Sequence, residues 1–352
     1  MLRRIAPLFA VLLLAAGCAG GPRPTVVAQA TPAVATDTRT STTPSPKTEP
    51  TTQAGAQAPA KAQTAPTTPA GKAQPGNAQA PAPANTPTPD PAKPKAEPRL
   101  AILVYHDVDE HFQSDYTITP TLLEEQVRML KEEGYAFYTF AEVERLLAGG
   151  EGLPEKGVML AFDDGYQSFV TKVGPVAEKY DVPAVCFVVM KYMSMDIFMG
   201  RPHMAPVEMK AAVASPLLDL AGHSWDGHRT GVAADGSQQP VLTQPIQPHL
   251  KPLETQAEYE QRVLLDFQKT GELLKEYGVT TGLRHYTFPY TARSEDAVRL
   301  GRQAGFRYFY VGGDRLVTPH TDPTAIPRVH AGAPYITADV LKETLRNLFS
   351  QP

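Results

Sequence analysis

"RLAILVY" (Arg99–Tyr105), followed by "TPTLLEEQVRMLKEEG" (Thr119–Gly134), reads as a strand and then a helix. The first segment is a short apolar run. In the second, Leu122, Leu123, Val127 and Leu130 recur at helical spacing, Thr121 and Glu124 have the separation of a capping box, and Gly134 supplies a stop. The alternation continues along the chain. "AFYTF", "GVMLAF", "PAVCFVV", "LLDLAG", "RHYTFPY" and "FRYFYVG" are further candidate strands, with helical patterns over 141–147, 167–180, 256–277, 294–304 and 337–349. Repeated βα units predict an α/β domain over 99–352 built on a mainly parallel sheet, open or closed. Ligands in such sheets sit beyond the carboxyl ends of the strands, so the residues that end each run are the ones to inspect.

Those ends carry imidazoles and carboxylates. The first run ends in Tyr105-His106-Asp107, the "GVMLAF" run in Asp163-Asp164-Gly165, the "LLDLAG" run in "HSWDGH" (His223–His228) and "RHYTFPY" in Pro289-Tyr290. Two imidazoles and one carboxylate form a common ligand set for a hydrolytic Zn²⁺. His223 and His228 are five residues apart and would lie on different faces of a helix, so they belong on a loop that Gly227 leaves free to fold back. One aspartate of the pair can then be a ligand while its neighbour takes a proton from the attacking water. Gly165 ends the strand and relaxes the rule that strand neighbours face opposite ways. The competing expectation is that both acids cap a helix beginning near Tyr166.

The N-terminal region has a different character. "MLRRIAPLFAVLLLAAGC" has two arginines, an apolar stretch too short to span a membrane, and small residues before Cys18, which is the pattern of a secretion signal. Its end, "LAAGC", resembles a bacterial lipobox, in which Cys18 becomes the lipidated first residue of the mature protein. An ordinary signal peptide cut near Ala19 is the alternative. Residues 19–98 are rich in Ala, Pro, Thr and Gln and have no apolar periodicity, so the expectation is a disordered tether holding the folded domain away from a membrane. With 33 basic against 37 acidic residues and no long basic run, composition gives no electrostatic support for a nucleic-acid partner.

"FDDG", "HS" followed by a second histidine, and the later "PY" resemble the polysaccharide deacetylases, carbohydrate esterase family 4, also described as the NodB homology domain. "LVYHDV", "YTITPTLLEEQVRMLKEEGY" and "LAFDDGY" are similar, in order, to the extracellular poly-N-acetylglucosamine deacetylases of biofilm formation. The resemblance spans Leu100 to Leu348 and implies a distorted (β/α) barrel. It further implies metal ligation by Asp164, His223 and His228, with Zn²⁺ first and Co²⁺ or Ni²⁺ as alternatives. Asp163 would be the catalytic base, the backbone N–H of Tyr290 an oxyanion donor, and Arg328 the support of the base. His106 would be the general acid, where most of the family uses a late histidine for which His330 is the counterpart. Thr291 departs from the family, which has glycine after the tyrosine.

The function so implied is hydrolytic removal of N-acetyl groups from an extracellular N-acetylglucosamine polysaccharide of the poly-beta-1,6 type, and the lipobox-like "LAAGC" adds the expectation of a lipid anchor at the outer face of a bacterial membrane. Peptidoglycan or chitin-type N-deacetylation and acetylxylan de-esterification use the same apparatus. A non-catalytic glycan-binding lipoprotein is the alternative of another class. Trp225 and Tyr290 are expected to line a sugar groove, Asp226 to orient a histidine, and Asp107 to be a hydrogen-bond partner of His106. The segment 229–258, with four prolines, reads as a polar surface insertion. His111, His203, His249, His285 and His320 are isolated and read as surface or core, and Cys186 as a buried strand thiol.

Overall fold

A computed structural model describes residues 96–351 apart from 113, 196 and 199. The signal-like segment, Cys18 and the tether as far as residue 95 lie outside the described residues. Nine strands form one parallel sheet: Arg99–Tyr105, Ala136–Phe137, Lys156–Phe162, Ala184–Val188, Leu218–Gly222, His285–Thr287, Tyr308–Val311, Ile326–Pro327 and Val329–His330. Arg99–Tyr105 pairs with Lys156–Phe162 along its whole length, ending with Tyr105 opposite Phe162. His106 and Asp163 therefore leave the sheet side by side, and the Asp163 N–H donates to the Tyr105 carbonyl at 2.9 Å.

The two edges of the sheet are consecutive in the chain. Ile326 pairs with Tyr310 at one edge and Val329 with Leu103 at the other. Only Arg328 separates those two short strands, so the sheet is a nearly closed barrel and Arg328 lies at its seam.

The helices are α1 (Pro120–Glu132), α2 (Phe140–Leu147), α3 (Gly174–Tyr180), α4 (Pro206–Ala214), α5 (Gln256–Glu276), α6 (Glu295–Gln303) and α7 (Ala338–Ser350). Cap chemistry moves the start of α1 from where the sequence put it. Thr119, not Thr121, accepts the Leu122 N–H at 3.1 Å, and Pro120 takes the first helical position, where its fixed φ costs no hydrogen bond. A reciprocal box forms instead at α5. There the Thr255 N–H donates to Glu258 at 2.8 Å and the Glu258 N–H to the Thr255 hydroxyl at 3.3 Å. The expected helix over 167–180 is a π-helical turn, Phe169–Val173, running into α3, and α4 lies in a stretch where no helix was expected.

The segment 229–258 is not a simple polar insertion. It opens with an antiparallel hairpin, Thr230–Val232 with Gln238–Pro240. Val241, Leu242 and Ile246 are then buried against Tyr259, Val263 and Phe267 of α5 and Tyr286 and Phe288. Polar composition and prolines hid three apolar anchors that give this segment a share of the core. Cys186 is buried in its strand, as expected. Among the described residues no helix is long and apolar enough to cross a membrane.

Candidate active site

Asp163 and Asp164 follow Lys156–Phe162 directly, and the backbone resolves their alternation. Asp164 has φ +72° and Gly165 φ +83°, so the strand breaks into left-handed geometry between the two acids and both reach one cleft. A Cβ at Gly165 would also stand 2.7 Å from Val188 Cγ1, which leaves glycine as the residue that fits. Asp163 Oδ1 accepts from Arg328 Nη1 at 2.8 Å, with both side chains buried. Burial raises the Asp163 pKa, but nearby positive charge, led by the Arg328 guanidinium, outweighs it and brings the carboxyl down to about 2. Asp163 is thus held ionised.

Asp164 faces the histidines. Its Oδ1 lies 3.5 Å from His223 Nε2 and 3.2 Å from His228 Nε2, and all three donor atoms lie within 4.8 Å of one another. His223 Nδ1 is 2.9 Å from the Thr287 carbonyl. That bond puts the ring proton on Nδ1 and turns the bare Nε2 lone pair towards Asp164. Burial keeps this imidazole neutral, its pKa lowered to about 4. Asp164 Oδ1 is itself buried with no hydrogen-bond partner among the described residues. Acceptors facing one another in a buried cleft are unfavourable unless a cation lies between them, so the donor set fits a divalent metal.

"HSWDGH" is a loop, as expected. Ser224 has φ +110°, and a Cβ on Gly227 would meet Leu242 at 2.7 Å. The loop is fastened by Asp266 of α5, which sequence reasoning missed. Its carboxylate accepts the N–H groups of Trp225 at 3.1 Å and Asp226 at 2.7 Å, and burial lifts its pKa to about 6. The signal was an acid at helical spacing from Val263 and Thr270, on the buried face of α5. Tyr192 adds a bond from its hydroxyl to the His228 carbonyl at 3.1 Å.

Two expected roles are corrected here. Asp107 does not face His106: one oxygen accepts from Ser168 Oγ at 2.8 Å and the other from Arg201 Nε at 2.6 Å. Asp226 pairs with Lys191 at 2.8 Å and Arg229 at 3.8 Å rather than with a histidine. Trp225 is partly exposed, and Lys269 Nζ lies over one face of its ring, 3.7 Å from the centroid. Tyr290 is 48% exposed and leans on His228, with ring centroids 4.7 Å apart. Tyr290 and Thr291 have φ +59° and +56°, strained values for bulky and β-branched residues.

His106 is half-buried, and its Nδ1 has no hydrogen-bond partner among the described residues. Exposed Tyr116 meets it edge-on at 5.0 Å and also faces His330 at 6.5 Å. His203 and His285 are buried, as the core option for isolated histidines allowed. His285 is stacked between Phe140 and Tyr308 at 4.2 and 4.7 Å, with Tyr310 and Glu144 on its two nitrogens.

Residues 150–309 match the family model described as polysaccharide deacetylase, a span that holds Asp163, Asp164, His223, His228 and Tyr290 but not His106 or Arg328. A relative from Escherichia coli (strain K12), poly-beta-1,6-N-acetyl-D-glucosamine N-deacetylase, is 31% identical over 241 residues, 64% of this chain and 35% of the relative. The chain therefore spans about a third of that relative's length. A Staphylococcus aureus (strain MRSA252) relative of the same name is 21% identical over 215 residues, 61% of this chain and 68% of its own. Among solved structures, a de-N-acetylase from Aggregatibacter actinomycetemcomitans superposes with TM-score 0.61 at 22% identity, over 70% of this chain and 99% of that one. IcaB from Ammonifex degensii superposes with TM-score 0.57 at 24% identity, over 71% and 98%. At these identities the structural likeness supports the fold.

Proposed function

We propose that this chain, which carries a polysaccharide deacetylase domain, removes N-acetyl groups by hydrolysis from an extracellular N-acetylglucosamine polysaccharide of the poly-beta-1,6 type. The observation that carries the proposal is the convergence of Asp164, His223 and His228 on one point beside Asp163, whose ionised carboxylate is fixed by Arg328. The relatives' names support the substrate class.

Asp164, His223 and His228 would hold a divalent ion. Zn²⁺ is the first candidate for this imidazole and carboxylate set, with Co²⁺ or Ni²⁺ able to replace it. When bound, such an ion supplies Lewis-acid polarisation of the amide carbonyl and makes the attacking water more acidic. Asp163 takes a proton from that water as its oxygen bonds to the acetyl carbon. The backbone N–H of Tyr290 donates to the oxygen on which charge develops. The carbon–nitrogen bond then breaks. An amine leaves poorly unless protonated, and His106 supplies that proton to the nitrogen, giving acetate and a free amine. Support for His106 over His330 comes from its position beside Asp163 at the ends of two paired strands. A binding protein would have no use for a base, an acid and a ligand set together, which disfavours the glycan-binding alternative.

The N-terminal sequence supports display outside a membrane, on a tether with a lipid at Cys18. Replacing Cys18 with Ala should release the protein to the medium, and continued membrane association on fractionation would remove the anchor from the proposal. The activity is tested by acetate release from poly-beta-1,6-N-acetylglucosamine, peptidoglycan fragments, chitin oligomers and acetylxylan, with and without a chelator. Chelator-sensitive release from the first substrate above the others is expected. Release from none of them would end the enzymatic reading, and preference for another would reassign the substrate.

A further inference from the structure

Arg201 lies on the hairpin Ile197–Phe198 with Arg201–Pro202, in a Met-rich stretch with no place in the proposed chemistry. Its guanidinium, whose side chain is 14% exposed, bridges two carboxylates. Nε donates to Asp107 Oδ2 at 2.6 Å and Nη2 to Asp109 Oδ2 at 2.8 Å, while Phe112 stacks against it at 4.5 Å. Both aspartates are fixed on their other oxygens. Asp107 accepts from Ser168 Oγ, which in turn accepts the Val108 N–H at 3.2 Å. Asp109 accepts the N–H groups of His111 at 2.7 Å and Phe112 at 2.8 Å.

The segment so clamped begins at His106 and ends on it. Asp107–Val108 pairs in parallel with Thr117–Ile118, which brings Tyr116 edge-on to the His106 ring. The hairpin that carries Arg201 is stitched to the loop after the paired aspartates. Gln167 N–H donates to the Pro202 carbonyl at 3.0 Å, and Met204 N–H to the Gly165 carbonyl at 3.0 Å. One guanidinium thus ties the chain that follows Asp163 to the chain that follows His106. His106 Nδ1 has no hydrogen-bond partner among the described residues, so the ring depends on its backbone, which Arg201 holds through Asp107, and on Tyr116, whose carbonyl accepts the Asp107 N–H at 3.2 Å.

We infer that Arg201 is a positioning residue for His106, setting the reach of the proton donor relative to Asp163. The inference rests on the assignment of His106 as general acid in the proposed function. A planar bidentate fork is needed to span two carboxylates, and a lysine reaches them only as a point charge.

The test uses the metal-loaded full chain and two substrates. N-acetylglucosamine oligomers release an amine that must be protonated, whereas nitrophenyl acetate releases a phenolate that leaves without a proton. Arg201→Met should lower kcat on the oligomers about 10- to 100-fold, the cost of a misplacement near 1 Å, with KM and metal content kept. Turnover of nitrophenyl acetate should stay within about twofold of the parent, because that leaving group does not call on the acid. Arg201→Lys should fall between the two, and it carries the same comparison if the methionine variant does not fold. In a His106→Ala background Arg201→Met should add no further loss. Equal losses on both substrates, or losses that multiply with His106→Ala while that variant alone collapses oligomer turnover, overturn the Arg201 inference only. Full oligomer turnover in His106→Ala overturns the acid assignment and this inference with it.

Discussion

Arg328 and Asp163 are 165 residues apart in the chain and share a 2.8 Å ion pair with both partners buried. The barrel seam makes the contact. Arg328 is the residue between the two edge strands, so closing the sheet and fixing the base are one event. Arg328→Met should lower kcat on the order of 10²-fold through loss of base orientation, with metal content unchanged because no metal-binding atom is touched. It should also destabilise the fold by roughly 3–5 kcal/mol, the cost of leaving one member of a buried pair alone. Turnover within about twofold of the parent at full metal occupancy would remove Arg328 from the base's support.

Much of this site was legible because strand ends in a parallel sheet share one face. Tyr105-His106, Asp163-Asp164 and His223 each end an apolar run, and the sheet brings them together without further information. What was not legible depends on tertiary pairing. Sequence adjacency suggests His106 as the partner of Asp107, but the partner is Arg201, 94 residues away. The cap of α1 went to Thr119 and not Thr121 because Pro120 decides the first turn, a local signal that was present and outweighed by a motif match. The resemblance picked out Arg328, but only the seam explains why an arginine there reaches the base.

Asp266 predicts a loss of metal affinity from a residue that is not a ligand. It holds the Trp225 and Asp226 amides and so fixes the loop on which His228 sits. Asp266→Ala should weaken metal binding about 10- to 100-fold, as loss of an outer-shell support does, while binding stoichiometry stays the same. Metal titration of the chelated protein measures this. An unchanged affinity would mean that Tyr192 and packing suffice to hold the loop.

Thr291 carries backbone strain that its side chain does not require. At φ +56° a β-branched residue is costly, and glycine would take the same conformation freely. Thr291→Gly should stabilise the protein by about 1 kcal/mol, the strain relieved exceeding the extra entropy of glycine in the unfolded chain. Thermal unfolding of the two proteins settles the sign. A lower midpoint in the glycine variant would show that the Thr291 side chain contributes packing worth more than the strain.

His285 makes stability depend on pH in a window set by its burial. Sealed between Phe140 and Tyr308, it has its pKa lowered from 6.5 to about 4, with burial outweighing the opposing pull of Glu144. Between those values the unfolded chain binds a proton that the folded chain does not, so stability rises with pH across the window. The contribution is complete above about pH 6.5 and is lost as pH falls towards 4, by roughly 3 kcal/mol at most. His285→Gln keeps hydrogen-bonding atoms near Glu144 and Tyr310 but does not titrate. Unfolding free energies at pH 7 and pH 5, taken for both proteins in chelator, should differ less in the glutamine variant. Should the two proteins lose stability equally between those pH values, the acid sensitivity lies with another group, and His285 is only a packed ring.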